Sequence, residues 1–301
     1  MSDIVCRLQR RDDAPCSVSA LVTKMAEVLR PSLRGDALSE ARELLALMHD
    51  QPRHWPVVFA SQLLSVSHAE SALRAATRRA AGAPIQYAAG RAAFRLLTLD
   101  VDERVLIPRP ETEQLVEIVL GLTMAERGGT VVDVGTGSGA IALSLATEGR
   151  FDRVIATDIS FDALDVARGN ATRYAHRRCA RFELRQGSLL GSVPERGLRA
   201  IVSNPPYISF DEAAALPASV RNWEPSVALF SASDGLATTD RLVRDAARAL
   251  APAGVLALEV DARRAGAVAE LVRTLGPYGG VQVLQDLTGR DRFVVARRLE
   301  E

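Results

Sequence analysis

Val131-Val132-Asp133-Val134-Gly135-Thr136-Gly137-Ser138-Gly139 runs directly into Ala140-Ile141-Ala142-Leu143. An apolar strand, a glycine-rich turn and an apolar helix in immediate succession are the opening of a βα unit. Glycines let such a turn adopt positive φ and let backbone pass close to a ligand. The helix N-terminus behind it favours negative charge. The spacing is GxGxG, not the GxGxxG of dinucleotide binders, and Asp133 stands in the strand just before it. A carboxylate there repels a pyrophosphate and suits a ligand that carries an ammonium group.

Working outward, short apolar runs at 130–134, 154–157, 182–186, 200–203 and 254–260 alternate with helical segments at 140–147, 161–174, 236–250 and 262–275. Alternating βα units predict an α/β fold, a doubly wound and mostly parallel sheet of the Rossmann-like kind. Runs at 281–285 and 293–296 are joined by 286–292 with no helix between them, which predicts a C-terminal antiparallel hairpin. Upstream, residues 17–82 are helical in pattern: Leu21, Val22, Met25, Val28 and Leu29 recur at three-to-four spacing, Leu44, Leu45 and Met48 follow, and shorter pieces lie at 57–64 and 69–81. A small helical bundle is expected. Between the two regions, 94–101 and 105–107 are strand-like and predict a linking β-hairpin. Pro108 and Pro110 stiffen the exit, and Glu111-Thr112-Glu113 opens a helix with acids at its positive end. The expected domains are 1–83, helical; 84–108, the hairpin; and 109–301, the α/β domain.

Acidic and basic residues balance at 37 each, so the molecule has no strong overall attraction for nucleic acid or an anionic membrane. Cys6, Cys16 and Cys179 are scattered and odd in number, with neither a disulfide framework nor metal spacing. No metal site is expected. Met1-Ser2-Asp3-Ile4-Val5-Cys6-Arg7 carries no signal-peptide core, and no run reaches membrane-spanning length, so a cytoplasmic location is the default expectation.

The candidate ligand-binding residues are Asp133, Gly135, Thr136, Gly137, Ser138 and Gly139, joined by Asp158 at the end of the next strand, Ala156-Thr157-Asp158. A carboxylate at that position lies where a ribose would rest and accepts from both of its hydroxyls. Together these features fit S-adenosylmethionine better than a nicotinamide dinucleotide. The alternative is that Asp133 and Asp158 cap helices or satisfy loops.

A second decisive stretch is Asn204-Pro205-Pro206-Tyr207, at the end of Ala200-Ile201-Val202-Ser203. It offers an amide oxygen, carbonyls and an aromatic ring to one planar NH₂ group. Such nitrogens donate their lone pair into their own π system and are poor nucleophiles. Asn204 Oδ1 and the Pro205 carbonyl can accept both hydrogens while Tyr207 packs on the flat group, which is orientation plus electrostatic preorganisation. The plain alternative is a strand ended by a rigid Pro-Pro turn.

On these residues the chain resembles the PrmC/HemK family, class I S-adenosylmethionine-dependent enzymes that methylate the glutamine of the Gly-Gly-Gln motif of peptide chain release factors. The runs that carry the resemblance are PIQYAAG (84–90), LIPRPETE (106–113), DVGTGSGAIAL (133–143), SNPPYI (203–208) and WEPSVAL (223–229), with Asp234-Gly235 after the last and Asp286 and Gly289-Arg290-Asp291-Arg292 in the tail. NPPY is shared with adenine amino methyltransferases; LIPRPETE is more specific. The resemblance implies a helical N-terminal domain that helps grip a release factor, with no membrane or direct nucleic-acid partner. It also implies cofactor contacts from the glycine turn, Asp158 and the 186–190 loop (Ser188, Leu189), and catalysis by Asn204, Pro205 and Tyr207. Asn204 touches the cofactor as well, and Pro206 and Phe94 line the glutamine pocket. Ser188 stands where the family often has an acid near the adenine, and Asp100 replaces a hairpin aromatic.

Two other enzymes share much of this pattern: a glutamine methyltransferase acting on a ribosomal protein, and an adenine amino methyltransferase of DNA or RNA. The latter requires a basic, salt-sensitive face. A non-catalytic module that kept the pocket is a further reading.

Overall fold

The computed structural model describes residues 15–32, 35–125 and 127–300. Cys6 and the 1–7 stretch lie outside them. By contact the chain divides into two units, Met1–Arg91 and Ala92–Glu301.

The first unit is built on three helices: α1 (Val18–Leu29), α2 (Ala37–Met48) and α3 (Val66–Ala80). Each begins where a short polar side chain replaces a missing helical acceptor. Ser17 takes the amide of Ala20, Asp36 that of Leu38, and Ser65 that of His68. Leu21, Met25 and Leu29 of α1 and Leu44 and Leu45 of α2 are fully buried in one core. The stretch 57–64 is not helical as expected. Only Trp55–Val58 makes a helical turn, and Leu63–Leu64 pairs antiparallel with Cys16–Ser17. Pro56 suits a first helical turn, and the amides of Val18 and Ser19 then bind the carbonyls of Gln62 and Ala60.

The division falls after the first residue of a hairpin, β1 (Arg91–Phe94) and β2 (Leu97–Asp100), the rest of which opens the second unit. Its turn falls at Arg95-Leu96, inside the run expected as a single strand, and 105–107 is not a strand. Arg95 sits at φ 50°, a left-handed conformation that costs a non-glycine residue roughly 1–2 kcal/mol. Its guanidinium holds Glu148 at 2.7 Å and Glu117 at 2.8 Å and donates to the Glu113 carbonyl, so distant helices fix the turn.

After α4 (Pro110–Thr123) come β3 (Thr130–Val134), α5 (Ala140–Glu148), β4 (Arg153–Asp158), α6 (Phe161–Arg173), β5 (Arg181–Gln186) and β6 (Leu198–Ser203). Then follow α7 (Ala237–Ala249), β7 (Leu250–Glu259), α8 (Ala265–Leu275), β8 (Tyr278–Gln285) and β9 (Asp291–Arg298). The strands form one seven-stranded sheet in the order β8-β9-β7-β6-β3-β4-β5. β7, β6, β3, β4 and β5 are parallel; β9 runs antiparallel between β7 and β8, as the missing helix between the last two runs required.

Side chains alternate across this sheet. Val132, Val134, Ile155, Ile201, Leu256 and Leu258 face α7 and α8 in a shared core. The intervening residues, Val131 and Asp133 among them, face the other side. The chain moves outward from β3 to β5 and then returns to place β6 beside β3. The carboxyl ends of β3 and β6 therefore flank the point where strand order reverses, which is where open α/β sheets bind ligands.

Candidate active site

The turn after β3 holds Gly135, Gly137 and Gly139 at φ 74°, 53° and 85°. A Cβ on Gly135 or Gly137 would meet no atom within 4 Å, so the inner side of the turn opens into free space. The amides of Gly135 and Thr136 both donate to the Thr157 carbonyl at 2.9 Å. Gly139 differs: it is not among the residues lining the ligand cavity, and a Cβ there would press Leu143 at 3.2 Å, so a side chain at this position would collide with α5.

Asp133 also departs from expectation. Its carboxylate is fully buried on the α5 side of the sheet, behind the turn. It accepts from the Thr136 hydroxyl at 2.6 Å and the Ala142 amide at 3.1 Å. Burial pushes it up to about 7 against those two hydrogen bonds, with Asp158 adding to the rise. It splints the turn to α5. Strand alternation explains this: a residue one position from Val134 points to the opposite face.

Asp158, at the end of β4, does face the ligand space. Its oxygens take the amides of Gly137 and Ser160, both at 2.9 Å, and lone pairs remain for further donors. Burial raises its pKa, and those amides, with that of Ile159, oppose the rise. Asp158→Ala is expected to weaken binding of the S-adenosylmethionine that the family resemblance implies by at least about tenfold, since it removes charge-assisted acceptors worth about 1.5–3 kcal/mol. Calorimetric titration of the cofactor checks this; unchanged affinity would remove Asp158 from the site.

In the adjacent strand Ser203 pairs with Val134, and its hydroxyl donates to the Val134 carbonyl at 2.7 Å. Asn204 thus emerges beside Gly135. Both turns open on one cavity of about 490 Å³. Gly135, Thr136, Gly137 and Ser138 line it with Asp158, Ser188 and Leu189 on one side; Asn204, Pro205 and Pro206 line the other. The volume is that of a cofactor site. The Asn204 amide donates through Nδ2 to Thr112 Oγ1 at 3.3 Å, which leaves Oδ1 for an incoming donor. Thr112 in turn donates to Glu259 at 2.7 Å.

Two expected pocket residues are not on this wall. Phe94 is fully buried, because the alternation of β1 turns Ala92 and Phe94 inward together. Tyr207 lies beyond Pro206, outside the cavity lining. Burial, with Glu259 adding, pushes its phenol up to about 12, so it stays protonated at neutral pH and is no base.

The loop after Tyr207 is braced. The Ile208 amide binds the Leu229 carbonyl and the Ser231 amide the Ile208 carbonyl, and Phe210 stacks on Phe230 at 5.3 Å. Asp100 does not loosen the hairpin. It forms a two-oxygen pair with Arg173 at 2.8 Å. Asn170 joins the Asp100 backbone to the Ser138 carbonyl, tying the hairpin to the glycine turn.

Thr112 and Glu259 were not expected at the site; Glu224, open between a packed loop and a substrate contact, is held in an ion pair with Arg109 at 2.5 Å. A lone acid one residue from the end of the otherwise apolar run 254–260 was the available signal for Glu259.

Three kinds of comparison bear on this arrangement. Residues 113–217 match the family model described as methyltransferase small domain. The chain is 47% identical over 230 residues to the release factor glutamine methyltransferase of Moorella thermoacetica, covering 76% of this chain and 80% of that one. It is 43% identical to the protein of the same name from Streptococcus pneumoniae, covering 72% and 75%. Among solved structures, a methyltransferase from Pyrococcus furiosus aligns at TM-score 0.50 and 18% identity, over 67% of this chain and 89% of that one. The catalytic domain of hMettl16 aligns at TM-score 0.52 and 16% identity, over 79% and 84%. These two likenesses speak to the fold.

Proposed function

The chain belongs to the release factor glutamine methyltransferases, and on that premise we propose how its residues carry out the reaction. The enzyme transfers a methyl group to the side-chain amide nitrogen of the glutamine in the Gly-Gly-Gln motif of a release factor. When bound, S-adenosylmethionine supplies that methyl on a positively charged sulfur, which makes the carbon electrophilic. The open faces of Gly135 and Gly137 and the carboxylate of Asp158 suit this cofactor. Asn204 Oδ1 and the Pro205 carbonyl accept the two amide hydrogens and aim the nitrogen's lone pair across the cavity. No strong base is needed before attack; the proton leaves afterwards to water. Positioning is then the main source of rate, with a ceiling of about 7–11 kcal/mol. Within this reading residues 1–83 engage the release factor, 84–108 link, and 109–301 hold the chemistry.

One observation supports the reading above the others. A tethered asparagine amide, with its oxygen unclaimed, opens on the same cavity as the glycine turn. The test is transfer of labelled methyl from S-adenosylmethionine to a purified release factor and to its variant with the motif glutamine replaced. Label in the first and none in the second is expected. Label in a ribosomal protein or in adenine bases instead would overturn the substrate.

A further inference from the structure

We propose that Thr112 and Glu259 are positioning residues that decide which end of the Asn204 amide meets the substrate. The proposal rests on the reading above and deepens it. An asparagine side chain is nearly isosteric under a half-turn about its last bond, yet one orientation presents an acceptor and the other two donors. A substrate NH₂ is itself a double donor. The wrong orientation would set donor against donor, so some group must select between them.

Thr112 makes that selection. Its hydroxyl has a single hydrogen, and an ionised carboxylate can only accept. The hydrogen therefore goes to Glu259 at 2.7 Å, and Oγ1 can only accept from Asn204, whose Nδ2 lies 3.3 Å away. Oδ1 is left to face the cavity. Thr112 and Glu259 are 5% and 2% exposed, so water does not substitute for either partner.

Burial pushes Glu259 up to about 7. Thr112, Arg292 of β9 and Arg109 ahead of α4 oppose that rise, and Glu111 of α4 adds to it. Tyr207, whose phenol pKa Glu259 helps to raise, faces that carboxyl as well. Once protonated, the carboxyl can donate to Thr112, whose hydroxyl is then free to turn towards Asn204, and the selection is lost. Turnover should accordingly rise with pH through neutrality.

The experiment measures kcat at saturating cofactor and release factor, together with cofactor affinity, for T112V, T112S, N204A, T112V/N204A and E259Q. T112V is expected to lower kcat by ~10²-fold with cofactor affinity unchanged, because a misaimed amide is a misplaced acceptor. T112S restores most of the rate. Adding T112V to N204A costs no further rate, since the selected group is gone. The wild-type rise of kcat with pH is absent in E259Q. Should T112V fail to bind cofactor, the E259Q profile decides. Wild-type kcat in T112V, losses that multiply in the double variant, or an E259Q pH profile identical to wild type would each overturn the proposal. A wild type that methylates no release factor overturns the functional reading and this one with it; an active wild type with an equally active T112V overturns this one alone.

Discussion

Asn204→Ala is expected to lower kcat by about 10²–10³-fold, the range seen when one preorganised polar contact to a reacting group is removed. The effect belongs in kcat because the substrate nitrogen must be stripped of its amide resonance only as it reacts. An acceptor fixed in place helps more at that moment than in the resting complex. The side chain is held through Thr112, and in the proposed mechanism the Pro205 carbonyl supplies the second acceptor. Cofactor affinity should change little, because Asp158 and the glycine turn occupy the other wall. Stopped-flow or quenched single-turnover transfer, with calorimetry of cofactor binding, separates the two quantities. Full turnover in the alanine variant would remove Asn204 from the chemistry.

Gly235→Ala is expected to be nearly as damaging, at a residue outside the cavity lining. Ser233, Asp234 and Gly235 follow one another at φ 53°, 54° and 84°, and the last lies against the Tyr207 backbone. A Cβ there would stand 2.1 Å from the Tyr207 carbonyl oxygen and 2.8 Å from Arg264 Nε. The contact cannot be relieved by a rotamer, since the atom it meets is backbone. Arg264 is no softer: it donates to the Asp234 carbonyl and pairs with Glu212 at 2.8 Å. The strand-end turn must therefore move, and Asn204 and Pro205 move with it. A displacement near 1 Å costs on the order of 10²-fold in rate. The left-handed φ adds roughly 1–2 kcal/mol of destabilisation. Gly169→Ala is the control, in the middle of α6 with nothing within 4 Å; it should stabilise by about 0.5–1 kcal/mol and leave kcat alone. Equal kcat for Gly235→Ala and wild type would show that the turn tolerates the shift.

The sheet was legible because its signals are local. Val131 to Leu143 announce strand, turn and helix through apolar period and glycine alone, and the missing helix before 293–296 forces an antiparallel partner. Asp158 and the Asn-Pro-Pro-Tyr turn were legible for a related reason: strand ends of a parallel sheet share one edge, so a polar residue closing an apolar run is placed there by topology. The hairpin turn was not legible. Arg95 carries no turn signal of its own, and its conformation is held by Glu117 and Glu148 from helices that follow later in the chain.

By itself the sequence determined the βα order, the GxGxG turn and the asparagine at the end of β6, each a matter of a few neighbouring residues and the conformations open to them. Only the folded chain decided that Asp133 braces the turn from behind, that Phe94 is sealed away, and that Thr112 reaches Glu259 across 147 residues of chain. Those outcomes depend on which face of a strand meets which helix, and on hydrogen bonds between groups that periodicity cannot bring together.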